Sequence, residues 1–159
     1  MLVYDTMSAM GKTCSFFGHR FVLDIKSVKE QLKTLLEKMI TQEGVDIFYL
    51  GEQGDFEILS AEVLNELKTI YPFIQRTDVI CFSEQLNRKP KIQSDNFEYL
   101  DELDLCKRKL RIIKRNQWVI DNSDILIFYV NSPYGGAYQS YLYAKKKNKQ
   151  IINLVKLEE

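Results

Sequence analysis

What most restricts this chain is an alternation: short, nearly continuously apolar runs rich in β-branched and aromatic residues are separated by stretches of helical period. The runs are TCSFFG, DIFYL (Asp46–Leu50), DVICF (Asp78–Phe82), ILIFYV (Ile125–Val130) and QIINLV (Gln150–Val155). Strands apolar on both sides need cover on both faces, the condition of a parallel sheet between helical layers. Between the first two runs, Val28, Leu32, Leu35, Leu36 and Met39 share one stripe of a helix that Ser27 can cap and Gly44 can end. Ser60, Val63, Leu64, Leu67 and Ile70 mark a second helix stopped by Pro72. A third, over about 105–122, aligns Lys109, Ile112, Ile113, Asn116, Val119 and Ile120, and a fourth covers about 136–147. Parallel neighbours need such crossovers, overwhelmingly right-handed ones. The pattern therefore predicts an α/β fold with a doubly wound sheet of five strands, CSFF and ILIFYV adjacent at its centre.

At 159 residues the chain suits one domain. Residues 1–11 show no period and read as a poorly ordered lead-in to a single domain over 12–159. Arg76 to Asp104 is irregular, with scattered charge and aromatics, and reads as a long loop: either a lid or binding segment, or a surface excursion. Lys plus Arg and Asp plus Glu are 22 each, a balance that argues against a nucleic-acid partner. No window approaches the roughly 18 apolar residues of a membrane span, so no membrane partner is expected. Cys14, Cys81 and Cys106 are odd in number and form no CxxC, which points to packed, reduced thiols in the cytoplasm and to no metal site. The KKKNK run complements the dipole of the last helix and reads as a solvated face.

In an open α/β sheet, ligands bind beyond the carboxyl ends of the strands, near the point where strand order reverses. The unusual stretches of this chain fall at such ends. GHR (Gly18, His19, Arg20) follows the first run, GEQGDFE (Gly51, Gly54 and Asp55 among them) follows the second, and NSPYGGAYQS opens the last helix with Gly135, Gly136 and Ala137. A glycine pair before a helix lets backbone amides approach an anion where the helix supplies partial positive charge. Each element also has an ordinary use: a tight turn for Gly135 and Gly136, punctuation for Gly51 and Gly54, a core histidine at His19, an ion pair at Arg20. Their coincidence at one edge favours a site. Asn116 adds an amide on an otherwise apolar helix face, beside Arg115, and there it needs a partner from backbone or ligand.

In this order, CSFFGHR, FYLGEQGDFE, LKTIYP, RNQWVIDNSDILIFYV, GGA and INL resemble bacterial proteins of the SLOG superfamily, a group that includes YpsA-type proteins, the DNA-processing protein DprA and the LOG phosphoribohydrolases. The similarity runs from Thr13 to Leu154. It implies a Rossmann-like three-layer sandwich with a mainly parallel five-stranded sheet. It also implies a nucleotide or nucleotide-derived ligand, such as an ADP-ribose or NAD-like molecule or a nucleoside phosphate, as the small-molecule partner and in place of any firmly assigned cofactor. The ligand shell carried over is Gly18, His19 and Arg20, then Gly51, Gly54 and Asp55, then Arg115 and Asn116, then Gly135, Gly136 and Ala137.

Departures from the pattern bear on activity. Many relatives have Asp where this chain has Glu57, and some have Thr where it has Ala137. The LOG motif PGGxGTxxE ends in a carboxylate that works on an N-glycosidic bond, and here that position is Ser140 or Leu142, depending on the register. The catalytic residues are therefore unassigned, and the resemblance favours a sensory or non-catalytic binding domain. The alternative is an N-glycosidic enzyme, a nucleoside monophosphate phosphoribohydrolase or a deoxyribosyltransferase-like protein, with Asp55 or Glu57 acting from the neighbouring loop. Assembly into a homo-oligomer through the helices is compatible with either.

Overall fold

The computed structural model describes residues 11–52 and 54–158. Except for Gly11, the lead-in expected over 1–11 lies outside the described residues. Strand β1 occupies Lys12–Gly18, β2 Val45–Leu50, β3 Gln75–Ile80, β4 Asn96–Tyr99, β5 Ile125–Tyr129 and β6 Gln150–Asn153. Helices α1 (Ile25–Gln42), α2 (Asp55–Ile70), α3 (Arg108–Asp121) and α4 (Gly135–Lys146) connect them. The sheet runs β4-β3-β2-β1-β5-β6, and every pairing is parallel. β1 and β5 are adjacent, in register from Cys14 opposite Ile125 to Gly18 opposite Tyr129.

Strand alternation sends consecutive side chains to opposite faces. Phe16 enters the core under α1 and α2 with Leu32, Leu36, Phe48, Phe56 and Leu64, whereas Phe17 enters the core under α3 and α4 with Val119, Ile120, Phe128 and Ala144. Phe17 stacks on Phe128 with ring centroids 5.5 Å apart. Two cores on one sheet make the expected Rossmann-like three-layer sandwich.

Three local expectations are corrected. The sheet has six strands, not five, because Asn96–Tyr99 pairs with β3 inside the stretch read as loop. As an edge strand it is largely exposed, so it carries no apolar run for a periodicity analysis to find. The stretch that leads to it is held to the body at several points. The Asp95 carboxylate accepts from Arg76 Nε at 3.1 Å and Nη2 at 3.2 Å, Glu52 pairs with Arg88 and accepts from Lys91 N at 3.0 Å, and Ile92 is buried under α1 and α2. β3 begins at Gln75, earlier than DVICF indicated, because its first half is polar. The cap of α1 is Asp24, whose carboxylate accepts from Ser27 N at 3.3 Å, so Ser27 is the capped residue and not the cap.

Candidate functional site

Strand order reverses between β1 and β5, since β1 leads toward β2 on one side and β5 toward β6 on the other. The loops leaving these two strands diverge and open a crevice at the carboxyl edge. A cavity of about 350 Å3 occupies it. Of the residues expected in a ligand shell, Gly18, His19, Arg20, Asn116, Gly135, Gly136 and Ala137 line this cavity. Gly51, Gly54, Asp55 and Arg115 do not.

The two groups are linked. A Cβ on Gly18 would lie 2.4 Å from Phe56 Cβ, so the end of β1 packs directly on the first turn of α2. A Cβ on Gly54 would lie 2.9 Å from Arg20 Cα, and Asp55 N donates to Arg20 O at 2.9 Å. Gly54 and Asp55 thereby position the backbone of Arg20 from behind, while Asp55 itself faces a separate shallow depression with Ile58 and Glu62. Gly51 gives room to Arg115, whose Nη2 would sit 2.6 Å from a Cβ there.

Arg115 is 3% exposed, and each of its nitrogens is engaged: Nε donates to Val79 O at 3.1 Å, Nη2 to Leu50 O at 2.8 Å and Nη1 to Asn116 Oδ1 at 3.1 Å. The guanidinium satisfies the carboxyl ends of β2 and β3 and orients Asn116. With its oxygen occupied, Asn116 keeps its Nδ2 donor without a partner among the described residues.

His19 bridges the two diverging loops. Its N–H donates to Tyr129 O at 3.1 Å, and its Nε2 accepts from Ser132 N at 3.4 Å. Burial lowers the His19 pKa, against the raising effect of the Ser132 backbone contact, so the ring is neutral at pH 7 and Nε2 serves as an acceptor. Arg20 is exposed at the rim and has no hydrogen-bond or ion-pair partner for its guanidinium among the described residues. At the opposite wall no side chain caps the N-terminus of α4. Gly135 there has φ +88°, and a Cβ on Gly136 would meet no atom within 4 Å. Backbone donors, the helix dipole, Arg20 and Asn116 together form a concave surface suited to an anion.

Phe17, Glu57, Ile112 and Ser140 complete the lining. None of them stood in the expected shell. Glu57 is 5% exposed and brings a carboxylate to the cavity from α2, two residues beyond Asp55. A signal existed: Glu57 lies at i, i+3, i+4 and i+7 with Ser60, Ala61 and Leu64, all buried. Ser140 likewise stands one turn beyond Gly136.

Cys14 and Cys81 are buried free thiols and Cys106 is half-buried. No helix among the described residues is long and apolar enough to cross a membrane.

The chain was compared with known proteins. The family model for YpsA, described as the YspA SLOG family, matches residues 19–158. A UPF0398 protein of Halalkalibacterium halodurans is 30% identical over 145 residues, covering 84% of this chain and 73% of the relative. DNA processing protein A from Helicobacter pylori, solved for its single-stranded DNA binding mode, has a similar fold with a TM-score of 0.64 at 17% identity, over 97% of this chain and 72% of that one. Because that protein binds single-stranded DNA on the same fold, the expectation against a nucleic-acid partner is withdrawn. A balanced sum of charges over the chain does not describe the local field at the sheet edge, where Arg20 stands at the rim of the crevice and the N-terminus of α4 at its wall.

Proposed function

We propose, because the chain belongs to the YspA SLOG family, that it is a sensory or non-catalytic binding domain for a nucleotide or nucleotide-derived ligand, whose phosphate lies against the N-terminus of α4. The observation that carries this reading is the convergence on one 350 Å3 cavity of an uncapped helix N-terminus, the Arg20 guanidinium and the Nδ2 of Asn116, the last two without a partner among the described residues. That volume falls within the roughly 300–1,000 Å3 typical of ligand sites. The same reading takes the cytoplasm as the location of the protein, and the free thiols of Cys14, Cys81 and Cys106 support it.

The test is a melting screen of NAD, ADP-ribose, cyclic nucleotides, nucleoside phosphates and short single-stranded DNA. A ligand at 100 times its Kd adds about 2.7 kcal/mol, a shift of roughly 5–10 °C for a domain of this size. Gly136→Val fills open space at a position of ordinary φ, so it should abolish the shift and leave the ligand-free melting temperature unchanged. Arg20→Ala should behave in the same way. A screen in which no compound moves the wild type overturns the reading.

Glu57 favours a second reading, N-glycosidic cleavage, because it places a buried carboxylate in the same cavity although Ser140 and Leu142 offer none from α4. Under the binding reading, AMP incubated with the protein yields free base at well below about 1 per second. Faster release that Glu57→Gln abolishes would establish the enzyme.

A further inference from the structure

The cavity does not end at the α4 N-terminus. A groove of about 600 Å3 continues from it between α3 and α4, and Ile112, Asn116, Gly136 and Ser140 belong to the walls of both. Ile113, Ile120, Leu142 and Tyr143 make the groove apolar, and Ile113 and Leu142 are 46% and 41% exposed. Gln117 and Gln139 place amides along it, Lys109 and Lys146 place ammonium groups, and no carboxylate is among its lining residues.

We propose that this groove is the base subsite of the ligand, so that a nucleotide lies with its phosphate at Gly135–Gly136, its sugar past Asn116 and Ser140, and its heteroaromatic ring between Ile113 and Tyr143. The inference rests on the nucleotide reading above and adds to it the orientation of the molecule and the residues that hold its base. Three observations support it. The shared walls make the two spaces continuous, and the rise along α4 from Gly136 to Tyr143 is about 10 Å, a span that sugar and ring have to cross. The chemistry suits a base: apolar side chains cover the faces of a flat ring, while the carboxamides of Gln117 and Gln139 supply both donors and acceptors for its edge. The charge opposes a second copy: seated groove to groove, it would set Lys109 and Lys146 against the same lysines, whereas a nucleotide brings no cation. An exposed apolar patch of this kind ordinarily marks a binding surface.

The test compares AMP with ribose 5-phosphate, which keeps the sugar and phosphate and lacks the base. Affinities are measured by titration calorimetry on the wild type, on Ile113→Glu and on Gly136→Val. Ile113 is half exposed on a helix and Glu is the better helix former, so the variant should fold as the wild type does. Wild type should bind AMP at least tenfold more tightly than ribose 5-phosphate. Ile113→Glu should bring AMP down to the level of ribose 5-phosphate and leave the latter within threefold of its wild-type value, and Gly136→Val should weaken both. AMP binding that Gly136→Val abolishes and Ile113→Glu leaves unchanged overturns the base subsite alone. Failure of both probes to bind the wild type overturns the base subsite, and the nucleotide reading falls with it when no compound of the melting screen binds either. A wild-type dimer that Ile113→Glu converts to a monomer assigns the groove to a second copy and likewise overturns the proposal.

Discussion

Arg115→Met should lower the ligand-free stability by about 3–5 kcal/mol, which for a domain of this size is a fall in melting temperature on the order of 10 °C. Methionine keeps much of the volume of the stem, so the loss comes from polar groups. The carbonyls of Leu50 and Val79, at the ends of neighbouring parallel strands, each lose a charged donor in a place that excludes water. Asn116 loses the contact that orients it. The measurement is urea unfolding of the two proteins without ligand. A change below about 1 kcal/mol would mean that water or rearranged side chains replace the guanidinium, and that Arg115 is free to serve a ligand. Asn116→Ala is the matching comparison: it lines the cavity and holds no buried carbonyl, so it should abolish ligand binding and cost less in folding than Arg115→Met, about 1–2 kcal/mol for the Arg115 Nη1 donor that loses its acceptor.

Asp78→Asn should stabilise the protein by about 3 kcal/mol at pH 7.5 and by almost nothing at pH 4. Asp78 is 6% exposed on β3, and its Oδ1 has no hydrogen-bond partner among the described residues. Burial pushes its pKa up from 3.8 to about 6, reinforced by the nearby Glu52 and opposed by Arg115 and Arg88. A carboxyl with a raised folded-state pKa holds its proton more tightly folded than unfolded. Its contribution is therefore fully present below about pH 4 and is lost as the pH rises through 6. Asparagine is neutral throughout and escapes that loss. Urea midpoints for both proteins between pH 4 and 8 should diverge through the window from 4 to 6 and run parallel above about 7. Curves that stay parallel across the range would place Asp78 in a more solvated or better paired state. The two predictions are coupled: Arg115→Met removes one of the two cations beside Asp78, so in that variant the divergence should move to higher pH.

The class of fold and the parallel sense of the sheet were legible in the chain, because they follow from periodicity and from the length of connections; CSFF and ILIFYV, expected as neighbours because they are the most apolar runs, are adjacent, with β5 beside the edge strand β6. A short apolar run rich in β-branched and aromatic residues reads as a covered strand, and a stripe at i, i+4 and i+7 as the buried face of a helix. The edge at which GHR and the glycine pair meet was legible too, since strand ends in such a sheet all point one way, whereas Asn116 entered the expected shell only through the family resemblance. Which residues at that edge face the cavity depends on how the loops and helices pack. Gly51, Gly54 and Asp55 carry the same local signals as Gly135 and Gly136, yet they close against Arg115 and the backbone of Arg20, while the α4 pair stays open. Arg115 and Asn116 are consecutive, and the turn of the helix sends the first to the carbonyls of β2 and β3 and the second to the cavity. β4 and the α3–α4 groove have no local signature. An exposed edge strand is defined by its neighbour, and a groove by the distance between two helices, and neither quantity is written in the spacing of residues along the chain.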